Sequence, residues 1–167
     1  MIAITTILVA TDFSESSDTA LRYGKDLART HGATLHVLNV ADDLGVRLAA
    51  TPLGTPPDLG RFQSDLEAEA RRGTAALLTD EDRQVLRARS VVLTSSRPAD
   101  AIVSYARDVK ADLIVMGTHG RSGLAHLFMG SVAQQVVRAA PCPVLTVRHP
   151  EREFIRPDAL QVISSAQ

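Results

Sequence analysis

ADLIVMGTHGRSGLAHLFMGSVAQQVVRAAPCP, residues 111–143, contains in succession a short apolar run, a group of glycines and a second apolar pattern. The run Leu113–Met116 has the length of a buried strand. After Ser131, valines and alanines recur at helical spacing until Pro141 ends the pattern. This stretch therefore predicts a strand, a glycine-rich loop and a helix.

The predicted loop has two interpretations. Glycines at 117, 120 and 123 would let the backbone approach an anion closely. The start of the following helix would add free N–H groups and a partial positive charge, which favours phosphate. Taken alone, three glycines after a strand are more often a plain tight turn than a ligand site. The spacing matches neither the dinucleotide fingerprint nor the P-loop.

Apolar patterns on both sides of this stretch alternate between strand and helix periodicity. They predict an α/β fold in one domain, with right-handed βαβ units and a parallel sheet covered by helices on both faces. Residues 41–60 are interrupted by glycines and prolines and predict a long loop. Residues 150–167 have no period, so the domain is predicted to span 1–149, followed by a C-terminal tail. The other predicted strands are Ile2–Ala10, Thr34–Val40, Val85–Leu93 and Val144–Val147, and the predicted helices follow Ser14, cover Arg61–Thr79 and begin at Pro98.

Composition excludes several classes of partner. The 167 residues carry a net charge of −1, so no global field would attract nucleic acid or anionic lipid. The single cysteine, Cys142, excludes an internal disulfide and is typical of a reducing compartment. The N-terminus lacks the basic region of a signal peptide, and no apolar run approaches the ~20 residues of a membrane span. A cytoplasmic location with no membrane partner is predicted.

The spacing Gly117-x2-Gly120-x9-Gly130-Ser131 resembles, residue for residue, the signature of the ATP-binding branch of the universal stress protein family. GTHGRSG and APCPVLTV are similar to that family as well. The resemblance implies an open five-stranded sheet of order 3-2-1-4-5, Rossmann-like and adenine nucleotide alpha hydrolase-like. Ligands bind such sheets where the strand order reverses. One triplet departs from the family pattern: Ser96-Arg97-Pro98 stands where many relatives have Gly-x-Pro.

The resemblance also implies a set of ATP-binding residues. Asp12 would contact the nucleoside, backbone near Val40 the adenine, and the glycines with Ser131 the ribose and phosphates. Asp12 and Ser131 also suit plain turn and helix-capping roles. The predicted cofactor-binding residues are Ala10, Thr11, Asp12, Val40, Met116, Gly117, Thr118, His119, Gly120, Arg121, Gly130, Ser131 and Val132.

ATP is the predicted cofactor, with Mg²⁺ or Mn²⁺ carried on its phosphates and not by protein side chains. No catalytic residues are predicted, because no general base accompanies the glycines, and ATP hydrolysis should be slow at most. The predicted function is a regulatory or sensing module in the stress response. The alternative is an interaction module of the same fold with an empty or vestigial site. An adenylating enzyme is disfavoured because the turn after the first strand has the sequence ATDFSESS.

The fifth predicted strand, Val144–Val147, would lie at one edge of the sheet. It is apolar and uncharged until Arg148, and an exposed edge of that kind is normally protected. Relatives commonly pair this strand with its copy in a second subunit, and a twofold axis closes such a contact. A homodimer through this strand is therefore predicted.

Overall fold

In the computed structural model, residues 2–49, 56–118 and 130–148 are described. Their strands form one parallel sheet in the order β3-β2-β1-β4-β5, which confirms the predicted α/β class and strand order. The chain crosses from the β2 side of β1 to the β4 side, so the strand order reverses between β1 and β4. The strands are β1 (Thr6–Thr11), β2 (Thr34–Ala41), β3 (Arg89–Thr94), β4 (Leu113–Gly117) and β5 (Val144–Val147).

Helices cover both faces of the sheet. Alternate residues of β1 belong to two separate cores: Ile7 and Val9 lie in one, Leu8 and Ala10 in the other. The first core is closed by α1 and the residues that follow α3, and the second by α5 and α6. The helices are α1 (Glu15–His31), α2 (Leu44–Ala49), α3 (Leu59–Ala76), α4 (Asp80–Val85), α5 (Pro98–Asp108) and α6 (Ser131–Ala139).

Three residues set the ends of α1 and α5. The Ser14 hydroxyl accepts a hydrogen bond from the Ser17 N–H and caps α1. Gly32 ends α1 in the left-handed conformation, at φ 63°, which glycine adopts without steric cost. Pro98 is the first residue of α5, where its missing N–H costs nothing. These caps fix where α1 and α5 begin and where α1 ends.

The segment before β3 differs from the prediction. The predicted helix Arg61–Thr79 covers Leu59–Ala76, and the predicted strand Val85–Leu93 begins only at Arg89. A short helix, α4, occupies Asp80–Val85 because Thr79 and Asp82 form a capping box. The sequence pattern did not predict this helix, because six residues are too few to show a helical repeat of apolar side chains.

Two further predictions need correction. Residues 41–60 are not one loop: β2 continues to Ala41, α2 covers Leu44–Ala49, and α3 begins at Leu59, while 50–55 lie outside the described residues. The first strand begins at Thr6 and not at Ile2, and the Asp112 carboxylate accepts hydrogen bonds from the N–H groups of Thr5 and Thr6 there. The predicted tail, 150–167, also lies outside the described residues. No helix in the described part of the chain is long and apolar enough to cross a membrane.

Candidate functional site

A cleft of about 780 Å³ opens at the carboxyl ends of β1, β2 and β4. Parallel strands direct these ends to the same side of the sheet, and the cleft therefore lies at the point where the strand order reverses. Side chains of α3 form one wall and side chains of α5 and α6 form the opposite wall. The residues that line the cleft include Ala10, Thr11, Asp12, Phe13, Ser17, Asn39, Val40, Ala41, Asp42, Leu66, Glu69, Ala70, Gly73, Met116, Gly117, Thr118, Gly130, Ser131 and Val132.

Gly117 ends β4 in contact with the first turn of α1. A Cβ atom at Gly117 would lie 2.5 Å from Ser16 Oγ and 2.9 Å from the Ser16 carbonyl carbon. Real Cβ atoms do not approach backbone this closely, so any larger residue would push α1 away from β4. Gly117 is therefore required by the packing of the switch point itself, in addition to any role toward a ligand.

The start of α6 faces the end of β4. The Gly130 N–H donates to the Thr118 carbonyl oxygen at 2.6 Å, and the Thr118 N–H donates to the Val147 carbonyl oxygen at 2.8 Å. Gly130 is the N-cap residue and, as the last residue before α6, supplies no side-chain cap. Ser131 is thus the first helical residue and not the cap. The first-turn N–H groups of an uncapped helix are ready donors to an anion.

The turn between β1 and α1 is held by its own hydroxyl groups. Asp12 Oδ1 accepts hydrogen bonds from the Ser14 N–H at 3.1 Å and from Ser14 Oγ at 2.6 Å. Thr11 Oγ1 accepts from the Phe13 N–H and lies 3.1 Å from Ser17 Oγ. Phe13 has φ 64°, an unusual conformation for a residue with a side chain. The turn role considered for Asp12 is therefore real, and Asp12 also lines the cleft.

The described wall of the cleft is acidic. Three carboxylates line it, those of Asp12, Asp42 and Glu69, and no lysine or arginine does so within 2–49, 56–118 and 130–148. Asp42 Oδ2 forms an ion pair with Arg47 Nη1 of α2 at 2.6 Å. Among the described lining residues, the donors available to a phosphate are therefore backbone N–H groups and hydroxyls, without a basic side chain.

Gln63 of α3 is hydrogen-bonded to the first residue of α2. The Leu44 N–H donates to Gln63 Oε1 at 2.9 Å, and Gln63 Nε2 donates to the Asp42 carbonyl oxygen at 3.2 Å and to Glu67 Oε1 at 3.1 Å. Thr94 donates to the same glutamate oxygen. Hydrogen bonds from Thr94 and Gln63, together with Arg71, lower the pKa of Glu67. This network holds the end of β2 against the α3 wall.

Ten of the predicted site residues line the same cleft: Ala10, Thr11, Asp12, Val40, Met116, Gly117, Thr118, Gly130, Ser131 and Val132. The other three, His119, Gly120 and Arg121, lie outside the described residues. Nothing in the sequence indicated that α3 would form a wall of the cleft. Asn39 was not among the predicted site residues, although the sequence shows it as a lone amide in the otherwise apolar end of β2. In the described part of the chain, no three His, Cys, Asp or Glu residues come together as a metal site.

An open parallel sheet with helices on both faces and a cleft at its switch point defines a doubly wound α/β protein. A family model described as the universal stress protein family matches residues 3–148. The chain belongs to this family.

Individual relatives agree with that assignment. A universal stress protein of Thermus aquaticus is 40% identical over 144 residues, covering 86% of this chain and 98% of the relative. The structure of the universal stress protein UspA from Lactobacillus plantarum is 28% identical, with a TM-score of 0.71, over 89% of this chain and all of that chain. A universal stress protein in complex with cAMP is 29% identical, with a TM-score of 0.54, over 87% and 98% of the two chains.

Proposed function

We propose that this chain binds ATP in the switch-point cleft and acts as a homodimeric regulatory or sensing module of the stress response in the cytoplasm. The observation that carries the proposal is the uncapped start of α6 at the carboxyl end of β4. Free N–H groups at a helix start bind phosphate without any charged side chain. A related universal stress protein in complex with cAMP supports an adenine nucleotide as the ligand class.

The proposed roles follow the order of the strands. The N–H groups of Ser131 and Val132 and the Ser131 hydroxyl hold phosphate, together with Gly120 and Arg121 of the loop. Asp12, at the end of β1, accepts hydrogen bonds from the sugar. The backbone of Val40 meets the base beside β2. ATP bound in this way supplies a reversible signal, because its occupancy follows the nucleotide concentration.

Because the described wall of the cleft is acidic, ATP binding should require a divalent cation. Asp12 and Glu69 would repel the triphosphate, and no described lysine or arginine lines the cleft; the third carboxylate, Asp42, is paired with Arg47. Mg²⁺ or Mn²⁺ coordinated by the phosphates removes most of this repulsion. We therefore expect ATP affinity to fall at least tenfold when EDTA replaces Mg²⁺, and calorimetric titration in the two buffers measures it.

A matched pair of glycine variants tests the nucleotide site. Gly130→Val places a branched side chain at the start of α6 and should weaken ATP binding at least tenfold. Gly60→Val makes the same chemical change near the start of α3, where a Cβ atom meets nothing within 4 Å, and should leave binding unchanged. Calorimetry with Mg-ATP measures both variants, and extraction of the purified protein identifies any nucleotide that co-purifies. Absence of ATP binding by the unmodified protein would favour the interaction module with an empty site.

The proposed dimer uses the outer edge of β5. The Ile114 N–H donates to the Pro143 carbonyl oxygen, and the Thr118 N–H donates to the Val147 carbonyl oxygen. In a parallel strand alternate residues direct both backbone groups to the same side. The backbone N–H and C=O groups of Leu145 therefore point toward β4, whereas those of Val144 and Thr146 point outward. Within the described residues β5 pairs only with β4, so this edge is open to a second copy.

A further inference from the structure

Asn39 is a buried amide at the base of the cleft. It lies near the end of β2, in register with Thr11 of β1, and only 5% of its surface is exposed. Its neighbours two and four residues earlier, Val37 and Leu35, lie in the core that α1 closes. Strand alternation places Asn39 on that same face, where Phe13 and the α3 wall bound the cleft. A buried amide in such a position needs partners for its polar atoms.

Within the described residues, one half of this amide makes a hydrogen bond. Asn39 Nδ2 donates to the Thr11 carbonyl oxygen at 2.9 Å. Because only the NH₂ group can donate to a carbonyl, this bond fixes which end of the amide is oxygen. No buried side-chain nitrogen or oxygen of the described residues lacks a partner. Asn39 Oδ1 makes no hydrogen bond within that part of the chain, so this oxygen must belong to the small exposed surface of Asn39. Because Asn39 lines the cleft, the oxygen is accessible from the cleft.

The spacing of the strands is such that a bound nucleotide would carry its base near this oxygen. Adjacent strands lie about 4.8 Å apart, so β2 is about 10 Å from β4 across β1. A nucleotide whose phosphates lie at the start of α6, beside β4, would pass its sugar over Asp12 of β1 and carry its base over β2. The apolar side chains of Leu66 and Ala70 and the ring of Phe13 bound the cleft on this side. They offer flat contact for the faces of a planar ring.

We propose that Asn39 is a specificity-determining residue, whose Oδ1 accepts a hydrogen bond from the exocyclic amino group of the base. The proposal rests on the proposed nucleotide function and adds to it the selection of a 6-amino purine. A 6-oxo purine would bring a second acceptor against Oδ1. A site built to accept a hydrogen bond discriminates against a ligand that lacks the donor, because the buried acceptor then stays unpaired.

Three triphosphates with one sugar test this in the unmodified protein. ATP carries the 6-amino group, purine riboside triphosphate carries hydrogen there, and inosine triphosphate carries oxygen. Calorimetry with Mg²⁺ should give about tenfold weaker binding of purine riboside triphosphate and weaker binding still of inosine triphosphate. These measurements need no variant, so a misfolded mutant cannot obscure the result. Equal affinity for all three would overturn the role of Asn39 and leave the nucleotide site intact.

Variants then assign the discrimination to Asn39. Asn39→Ala should lose most of the preference for ATP over purine riboside triphosphate while binding the latter as before. The matched control, Gln63→Ala, removes an amide that donates to the Asp42 carbonyl just after β2 but does not line the cleft, and it should keep the ratio even if all affinities fall. An unchanged ratio in Asn39→Ala would overturn the assignment.

A sugar analogue shows whether Asn39 Oδ1 contacts the base or the ribose. If Asn39→Ala abolishes discrimination against 2′-deoxy-ATP instead, the oxygen meets the ribose hydroxyl and the base assignment is wrong. If the unmodified protein binds none of these triphosphates, the proposed nucleotide function itself fails. These results differ from equal binding of all three ligands, so the two proposals can fail separately.

Discussion

Asp82 Oδ2 lies 2.7 Å from Lys25 Nζ, an ion pair that joins α4 to α1. The Asp82 side chain is only 1% exposed, and Asp82 Oδ1 also pairs with Arg29 at 2.9 Å. The carboxylate further accepts the Thr79 N–H in the capping box. Burial alone would raise the pKa of Asp82, but the hydrogen bonds from Lys25 and Thr79 outweigh it and lower the pKa. The charged form of Asp82 is therefore part of the folded structure.

Replacing this carboxylate should destabilise the protein in a pH-dependent way. Asp82→Asn leaves Lys25 without its buried partner, and we expect a loss of about 3 kcal/mol at pH 7. A lowered pKa stabilises the fold above the unfolded-state value of 3.8, and this contribution disappears as pH falls through the folded-state value. The difference between the two proteins should therefore shrink below about pH 4, which urea unfolding at pH 7 and pH 3 measures.

The control for this experiment lies two residues earlier. Asp80 is 95% exposed and pairs with Arg83 at 3.4 Å, so Asp80→Asn should change stability by less than about 0.5 kcal/mol. An equal loss in both variants would mean that α4 is sensitive to any change of charge, and that the buried ion pair has no special contribution.

Gly117 provides a test of the switch-point packing. Gly117→Ala should destabilise the fold by about 1–3 kcal/mol, because the added methyl group overlaps the backbone of Ser16 in the first turn of α1. Gly60→Ala is the matched control, since a Cβ atom there meets no neighbour within 4 Å and alanine favours the helix. Thermal unfolding compares the two. A Gly117→Ala protein as stable as the unmodified one would show that α1 can move without cost.

Nucleotide turnover should be slow. No general base and no dedicated arginine finger are assigned among the proposed site residues, so ATP hydrolysis is expected on the order of 10⁻² per second or slower. A single-turnover assay with the purified protein and Mg-ATP measures this rate. A rate of ~1–100 per second, typical of kinases, would require a catalytic group that the proposed site does not contain.

The proposed dimer predicts different effects for neighbouring residues of β5. Thr146→Pro removes an outward N–H and should convert the dimer to monomer with little effect on the monomer fold, because the N–H groups that face β4 are kept. Leu145→Pro removes an N–H that faces β4 and should instead lower the stability of the monomer. Sedimentation at micromolar concentration gives the oligomeric state. A monomeric unmodified protein, or a fully dimeric Thr146→Pro protein, would contradict an interface on this edge.

The sequence alone determined the α/β class and the positions of the strands nearest the cleft. Its information is local: apolar periods define β2 and β4, Ser14 and Gly32 bound α1, and Pro98 begins α5. Each of these signals depends on backbone preferences within a few residues, which the linear sequence contains directly. The strand order needed the family resemblance as well, because a period says nothing about which strands are neighbours.

Tertiary structure alone decided what surrounds the site. Gly73 of α3 packs on the ring of Phe13, with 3.1 Å between a Cβ built there and Cζ, and no spacing along the chain predicts that contact. Within the described residues, the oxygen of Asn39 likewise has no protein partner, while its nitrogen donates to Thr11, 28 residues away. Both depend on where parallel strands bring distant residues together. Contacts of that kind are set by packing and register, which the linear pattern does not contain.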